Sequence, residues 1–228
     1  MKKSERLKPR KSWSYSQWSN YHSCPAKYKF ANVMKLPQPQ SPAAERGNNI
    51  HKKAEQYLLG KGKSIPDELK NFENSIPGKF EYLRELEIIP EEKWGITEDW
   101  KETEWVADDT WLRAITDAHG YNYEDELLVI DFKTGRKYAG HKDQESLYAT
   151  AAMELYPEAE VARVEFWYLD QGEIVSTLYH RKRTTALRKE WTAFANRTLT
   201  DPICAPLPSF DSCRWCPFKK ENGGPCPY

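Results

Sequence analysis

Tyr15, Trp18, Tyr21, Cys24 and Tyr28 recur at close to the helical repeat. Residues 14–33 are therefore expected to form a helix that Ser14 or Ser16 caps and that Pro25 kinks or restarts. Residues 36–42 are proline-rich and read as a linker. Residues 43–59 return to helix, closed by Gly60, with His51 and Glu55 one turn apart on a common face. Residues 61–77 read as a polar connection and 79–86 as a short helix. From 87 to 105 the pattern turns to alternation, with Trp94, Ile96, Trp100 and Trp105 marking strand-like stretches. The runs 111–118 and 127–133 are β-prone, and Asn122 with the acids Glu124, Asp125 and Glu126 can reverse the chain between them as a hairpin. Residues 141–155 read as a helix stopped at Tyr156-Pro157. A strand over 161–169 turns at Gln171-Gly172 into a partner over 173–179. A last long helix starts at Thr184 or Thr185, ends near Leu199, and gives way to proline- and cysteine-rich coil. The order predicts one α/β domain with a central mixed sheet flanked by helices.

The chain has 228 residues, enough for one sizeable domain or a domain with an appended module. Lysine plus arginine and aspartate plus glutamate number 34 each, so no global field favours or excludes a nucleic-acid partner. Local charge is uneven: Lys2, Lys3, Arg6, Lys8, Arg10 and Lys11 make residues 1–12 a basic, flexible tail. No run approaches the roughly 18 apolar residues of a membrane span, and no apolar signal core follows the basic start. A soluble, cytoplasmic protein is expected. Its five cysteines, three of them close to the C-terminus, suit a metal or cluster site in a reducing compartment better than a disulfide framework.

Asp131 and Lys133 stand two residues apart in a strand, on one face. Taken alone, such a pair is usually a surface ion pair. With Asp117 brought alongside by the hairpin, two carboxylates can hold a divalent cation through oxygen and a lysine can work beside it. The cation would polarise a phosphodiester and acidify a bound water, while Lys133 orients or deprotonates that water or balances charge in the transition state. His51 lies upstream after Arg46-Gly47-Asn48-Asn49-Ile50, and Gln144 and Tyr148 fall one turn apart on the helix that follows Lys133. At the C-terminus, Cys213 and Cys216 have chelating spacing. With Cys204 and Cys226 they form a local set of four thiolates suited to zinc.

The joint order of His51, Asp117, Asp131-x-Lys133 and Gln144-x-x-x-Tyr148 resembles the PD-(D/E)XK nuclease superfamily, and within it the RecB-like exonuclease branch. The resemblance covers most of the chain, from Ser14-Tyr15-Ser16 and Cys24-Pro25 to the terminal cysteines. It implies a restriction-endonuclease-like core over residues 13–203. His51, Asp117, Asp131 and the carbonyl of Phe132 would be Mg2+ or Mn2+ ligands, with Glu45 as a further acid. Lys133 would be the catalytic lysine, and Gln144 and Tyr148 would support the site and contact DNA. The chain also resembles the iron-sulfur nucleases of the AddB and CRISPR-adaptation types, in which one upstream cysteine joins three downstream. That likeness replaces Cys204 with Cys24. Cys24, Cys213, Cys216 and Cys226 would then hold a 4Fe-4S cluster that ties residues 204–228 to the N-terminal helix, leaving Cys204 as a buried or free thiol.

Two other motifs carry less. Gly62-Lys63-Ser64 resembles the end of a phosphate loop, but the glycine required five positions earlier is Tyr57. Most of the nine tryptophans are expected in the core, although Trp13 or Trp18, if exposed, would suit base stacking. The expected activity is exonucleolytic hydrolysis of single-stranded or end-containing DNA, single-stranded ends first, in recombination, repair or viral DNA processing, alone or beside a separate helicase or recombination protein; the resemblance implies 5'-phosphate products. Two rivals remain: a non-catalytic nucleic-acid-binding or assembly protein, and a structure-specific endonuclease on the same fold.

Overall fold

The computed structural model describes residues 7–39, 41–137 and 141–228. The first expected helix is divided. Helix α1 (Tyr15–Ser23) stops where Cys24 turns extended, and Pro25 then occupies the first position of α2 (Pro25–Tyr28), where its missing N–H costs nothing. A π-helical turn, Lys29–Val33, follows. Helix α3 (Pro42–Leu58) is capped by the Ser41 hydroxyl, which accepts from the Ala44 N–H at 3.1 Å.

The polar connection over 61–77 contains structure that its composition hides. A 3-10 turn (Asp67–Leu69) runs into α4 (Lys70–Ser75), and both are pinned by Leu69 and Phe72, which are fully buried. Helix α5 (Lys79–Glu85) then leads into β1 (Ile89–Ile96) and the short β2 (Glu102–Thr103). The hairpin of β3 (Leu112–Tyr121) and β4 (Leu127–Lys133) turns at Asn122, whose side chain accepts from the Glu124 and Glu126 N–H groups. Helix α6 (His141–Leu155) crosses to β5 (Val161–Tyr168), which turns into β6 (Glu173–His180), and α7 (Thr184–Thr200) follows.

The six strands form one sheet in the order β2-β1-β3-β4-β5-β6, antiparallel throughout except where β4 pairs parallel with β5. That one parallel pair needs a crossover, and α6 supplies it. Among the described residues the sheet has an apolar layer on each face. Leu127 and Val129 of β4 pack with α1, α6 and α7. Leu128, Ile130 and Phe132 pack with α3, α4 and α5. Strand β4 is thus buried on both faces and carries the charges of Asp131 and Lys133 at its end. No helix among the described residues is long and apolar enough to cross a membrane.

Trp13 and Trp18 are not free for stacking. They are 1% and 4% exposed and pack with Trp191, at ring-centroid distances of 5.9 and 4.9 Å. Of the basic tail expected over 1–12, residues 1–6 lie outside the described residues. Residues 7–12 differ from a free tail: the Leu7 and Arg10 N–H groups bond the carbonyls of Pro202 and Leu199, and the Arg10 guanidinium reaches the carbonyl of Asn32. The C-terminal segment also holds a short helix, α8 (Phe210–Arg214), with a reciprocal Ser209–Ser212 capping box.

Candidate active site

The site lies where the central strands stop pairing. The β3·β4 ladder ends at Ala118↔Ile130, one step before Asp117 and Asp131. On the other side of β3, the β1 register passes from Pro90↔Ala118 to Glu92↔Thr116 without a bond at Glu91, whose φ is +47°. Ala114 packs with the α6 face and Ala118 with the α3 face, although both are even-numbered, so β3 turns over between them. The turnover releases the Asp117 side chain from the sheet. Its Oδ2 accepts the Phe132 N–H at 2.7 Å, standing in for the lost ladder bond, and its Oδ1 lies 2.8 Å from Nδ1 of His51. Helix α3 presents that histidine because it comes very close to the end of β4. A Cβ on Gly47 would sit 2.9 Å from Thr134 Oγ1, so a larger residue here would have to displace that hydroxyl.

Asp131 and Lys133 project from β4 towards α6, and Gln144 bridges them. Its Nε2 donates to Asp131 Oδ1 at 2.7 Å and to the Tyr148 hydroxyl at 3.0 Å, and its Oε1 accepts from Lys133 Nζ at 2.8 Å. The Tyr148 hydroxyl donates to the Ile115 carbonyl at 2.9 Å, exposed by the same turnover of β3. Asp131 Oδ2 is buried and accepts no hydrogen bond in acceptable geometry. Lys133 Nζ lies 2.6 Å from it, at an oblique angle.

The electrostatics are those of a buried anionic site with one lysine. Burial pushes the Asp131 carboxyl up to about 6, Lys133 opposing and the Asp117 charge adding to the shift. Burial lowers the affinity of His51 for a proton, but the Asp117 hydrogen bond and the Asp117 and Asp131 charges outweigh it, so the imidazole titrates above its ordinary range. Tyr148 is held well above 10, first by burial and then by the Asp131 charge, and stays a donor.

The expected residues are thus brought together, except Glu45, which is exposed in the first turn of α3. Two further acids border the site. Glu91 is raised by burial, by the charge of and a hydrogen bond with Glu55, and by the Asp117 charge. Glu55 was legible as the residue one turn beyond His51. The signal for Glu91 was Pro90 inside a strand-like run, a mark of irregular pairing.

Among the described residues no three His, Cys, Asp or Glu side chains stand arranged to hold a metal ion. The donor set nevertheless fits one. An imidazole and two carboxylates converge, one carboxylate oxygen, Asp131 Oδ2, is buried without a hydrogen bond in acceptable geometry, and the field already favours a positive charge on His51. Cys24, Cys213, Cys216 and Cys226 line one small pocket beside Phe30, where Phe30 and Phe218 pack at 5.6 Å. The Leu207 N–H donates to Cys24 Sγ at 3.4 Å. Cys204 is not part of this group. It packs against Tyr21 and Tyr28, and burial, then Asp201, pushes its thiol up to about 11.

Comparison with known proteins bears on the fold and on the family. The protein SSO0001 has a solved structure that superposes with a TM-score of 0.54 at 17% identity, covering 97% of this chain and 88% of its own. A protein from Eubacterium rectale described as a candidate exonuclease superposes at 0.53 with 12% identity, covering 90% and 87%. At such identities the likeness is one of fold. No curated protein sequence matches the chain. The sequence profile of the PD-(D/E)XK nuclease superfamily matches residues 12–220, a span that holds His51, Asp117, Asp131, Lys133, Gln144 and Tyr148 together, and the chain belongs to that superfamily.

Proposed function

We propose that the protein is a metal-dependent DNA exonuclease of the RecB-like, AddB-like branch. The observation that carries this reading is the convergence of His51, Asp117, Asp131 and Lys133 at the break in the β3·β4 ladder. His51, Asp117, Asp131 and the Phe132 carbonyl would hold Mg2+ or Mn2+. A bound cation would polarise the phosphodiester and lower the pKa of the attacking water. Lys133, kept in place by Asp131 and Gln144, orients that water or neutralises charge developing on the phosphorus oxygens. Gln144 and Tyr148 hold Asp131 and Lys133 in register and face the DNA strand.

Cys24, Cys213, Cys216 and Cys226 are assigned to a structural 4Fe-4S cluster that closes the N-terminal segment onto the C-terminal one, with zinc as the alternative. Their shared pocket and the amide bond to Cys24 Sγ support this. The name of the Eubacterium rectale protein favours an end-directed activity. A role in DNA recombination, repair or viral DNA processing, with or without a separate helicase, suits such an enzyme.

The test is digestion of end-labelled single- and double-stranded DNA in Mg2+ beside covalently closed circles, with Lys133→Ala as control. Linear DNA should be consumed while circles survive, and the variant should be inactive. Cutting of closed circles overturns the exonuclease reading, and undiminished digestion by Lys133→Ala overturns the site.

A further inference from the structure

The catalytic network has a neighbour that its chemistry does not use. Gln144 and Tyr148 also form one wall of an open pocket of about 400 Å3, bordered by the start of α1, by the first residues of β3 and by the loop before it. Its size falls within the roughly 300–1,000 Å3 of small-ligand sites. Tyr15 and Trp105 border the same space from α1 and from that loop, and Trp105 is one of the tryptophans that the core does not bury. The Trp105 ring lies 5.9 Å from both the Arg113 guanidinium and Lys93 Nζ. Arg113 holds the loop in place, its Nε donating to the Trp105 carbonyl at 2.9 Å and its Nη1 to Ser12 Oγ at 2.6 Å. It forms no ion pair among the described residues, so its charge stays available in the wall of the pocket. Gln17 contributes a buried Oε1 with no hydrogen-bond partner.

An aromatic ring and the Arg113 cation in one wall, with unmet hydrogen-bonding capacity nearby at Gln17, match a nucleobase attached to its phosphate. Because Gln144 belongs to both the pocket and the catalytic network, the pocket adjoins Asp131 and Lys133. We infer that the Trp105–Tyr15 pocket receives an unpaired nucleobase of the DNA strand being cut, and so selects single-stranded or frayed ends. A base held in a duplex is stacked and paired on both sides and cannot enter. This inference rests on the nuclease reading of the adjoining site.

The test measures binding separately from cleavage. Lys133→Ala protein in Ca2+ is titrated into labelled oligothymidylate and into an abasic tetrahydrofuran oligomer of equal length and charge, read by fluorescence anisotropy. The base-bearing strand should bind about tenfold more tightly, the order of one stacking contact. Adding Trp105→Ala should remove most of that difference, Trp105→Phe should keep it, and Trp215→Ala, on an exposed ring elsewhere, should leave it unchanged. The Trp105→Phe protein also shows that the loop tolerates replacement. Equal binding of the two oligomers, or a preference untouched by Trp105→Ala, overturns the pocket even if wild-type protein degrades DNA. A Trp105-dependent preference in a wild-type protein that cleaves nothing supports the pocket and refutes the nuclease reading alone.

Discussion

Replacing Asp131 by asparagine should stabilise the metal-free protein at pH 8, although it destroys the site. Asp131 is 6% exposed and titrates at about 6 instead of the ordinary 3.8, burial outweighing the help of Lys133. At about 1.4 kcal/mol per tenfold change in proton affinity, its ionised form is disfavoured in the fold by about 3 kcal/mol. The sign follows from proton binding. The folded pKa lies above the unfolded one, so the folded state holds its proton more tightly. The stability that this provides is complete below about 4 and lost as pH rises through about 6. Asparagine imitates the protonated acid at every pH. The attraction of Lys133 is already included in the net shift, so losing it does not reverse the sign.

For a chain of this length 1 kcal/mol moves Tm by about 2–4 °C, so Asp131→Asn should melt roughly 6–12 °C above wild type at pH 8 in chelator, and together with it near pH 4. Added Mg2+ should raise the wild-type Tm and leave the variant unmoved, because a ligand stabilises only the state that binds it. Thermal melts followed by circular dichroism at the two pH values decide the matter. An Asp131→Asn protein less stable than wild type at pH 8 would refute the burial argument, since it would mean that the carboxylate stabilises the fold.

Lys133→Ala should reduce cleavage to background while Tm changes by no more than a few degrees, because Lys133 stands at the end of β4 and only its neighbours in the network lose a partner; single-turnover digestion and a melt read both. Gln144→Ala should lower kcat/KM about 10- to 100-fold and move the acid limb of the pH–rate profile upward. Asp131 loses a donor at 2.7 Å that favours its ionised form, and an unmoved limb would remove Gln144 from the network. Protein purified without oxygen should be brown, with absorbance near about 400 nm and bound iron and sulfide. Cys216→Ser should lose both colour and stability, whereas Cys204→Ser should keep the colour; colourless protein with stoichiometric zinc would replace the cluster by zinc.

What the chain reveals in advance follows from the range of the interactions. Helices α3 and α7 and the strands β3 and β6 were legible because buried positions recur in them with a local period, and β4, β5 and α6 because they are apolar runs bounded by turn signals; both kinds of signal survive without tertiary information. Helix α4 was not, because two apolar residues, Leu69 and Phe72, anchor it and two points define no period. The site divides along the same line. Asp131, Lys133, Gln144 and Tyr148 are spaced by two and by four on single elements, so their convergence is a property of strand and helix geometry. The partnership of Asp117 with His51 and with the Phe132 N–H is of another kind. It exists only because β3 turns over between Ala114 and Ala118, opposite a left-handed Glu91, and no side-chain pattern in β3 encodes that turnover. The break leaves Phe132 N–H and Ile115 C=O without ladder partners, and Asp117 and Tyr148 satisfy one each. Two side chains read from the sequence as chemistry are therefore also what makes the irregular strand tolerable. Removing either should loosen β3 at the very point where the site depends on it.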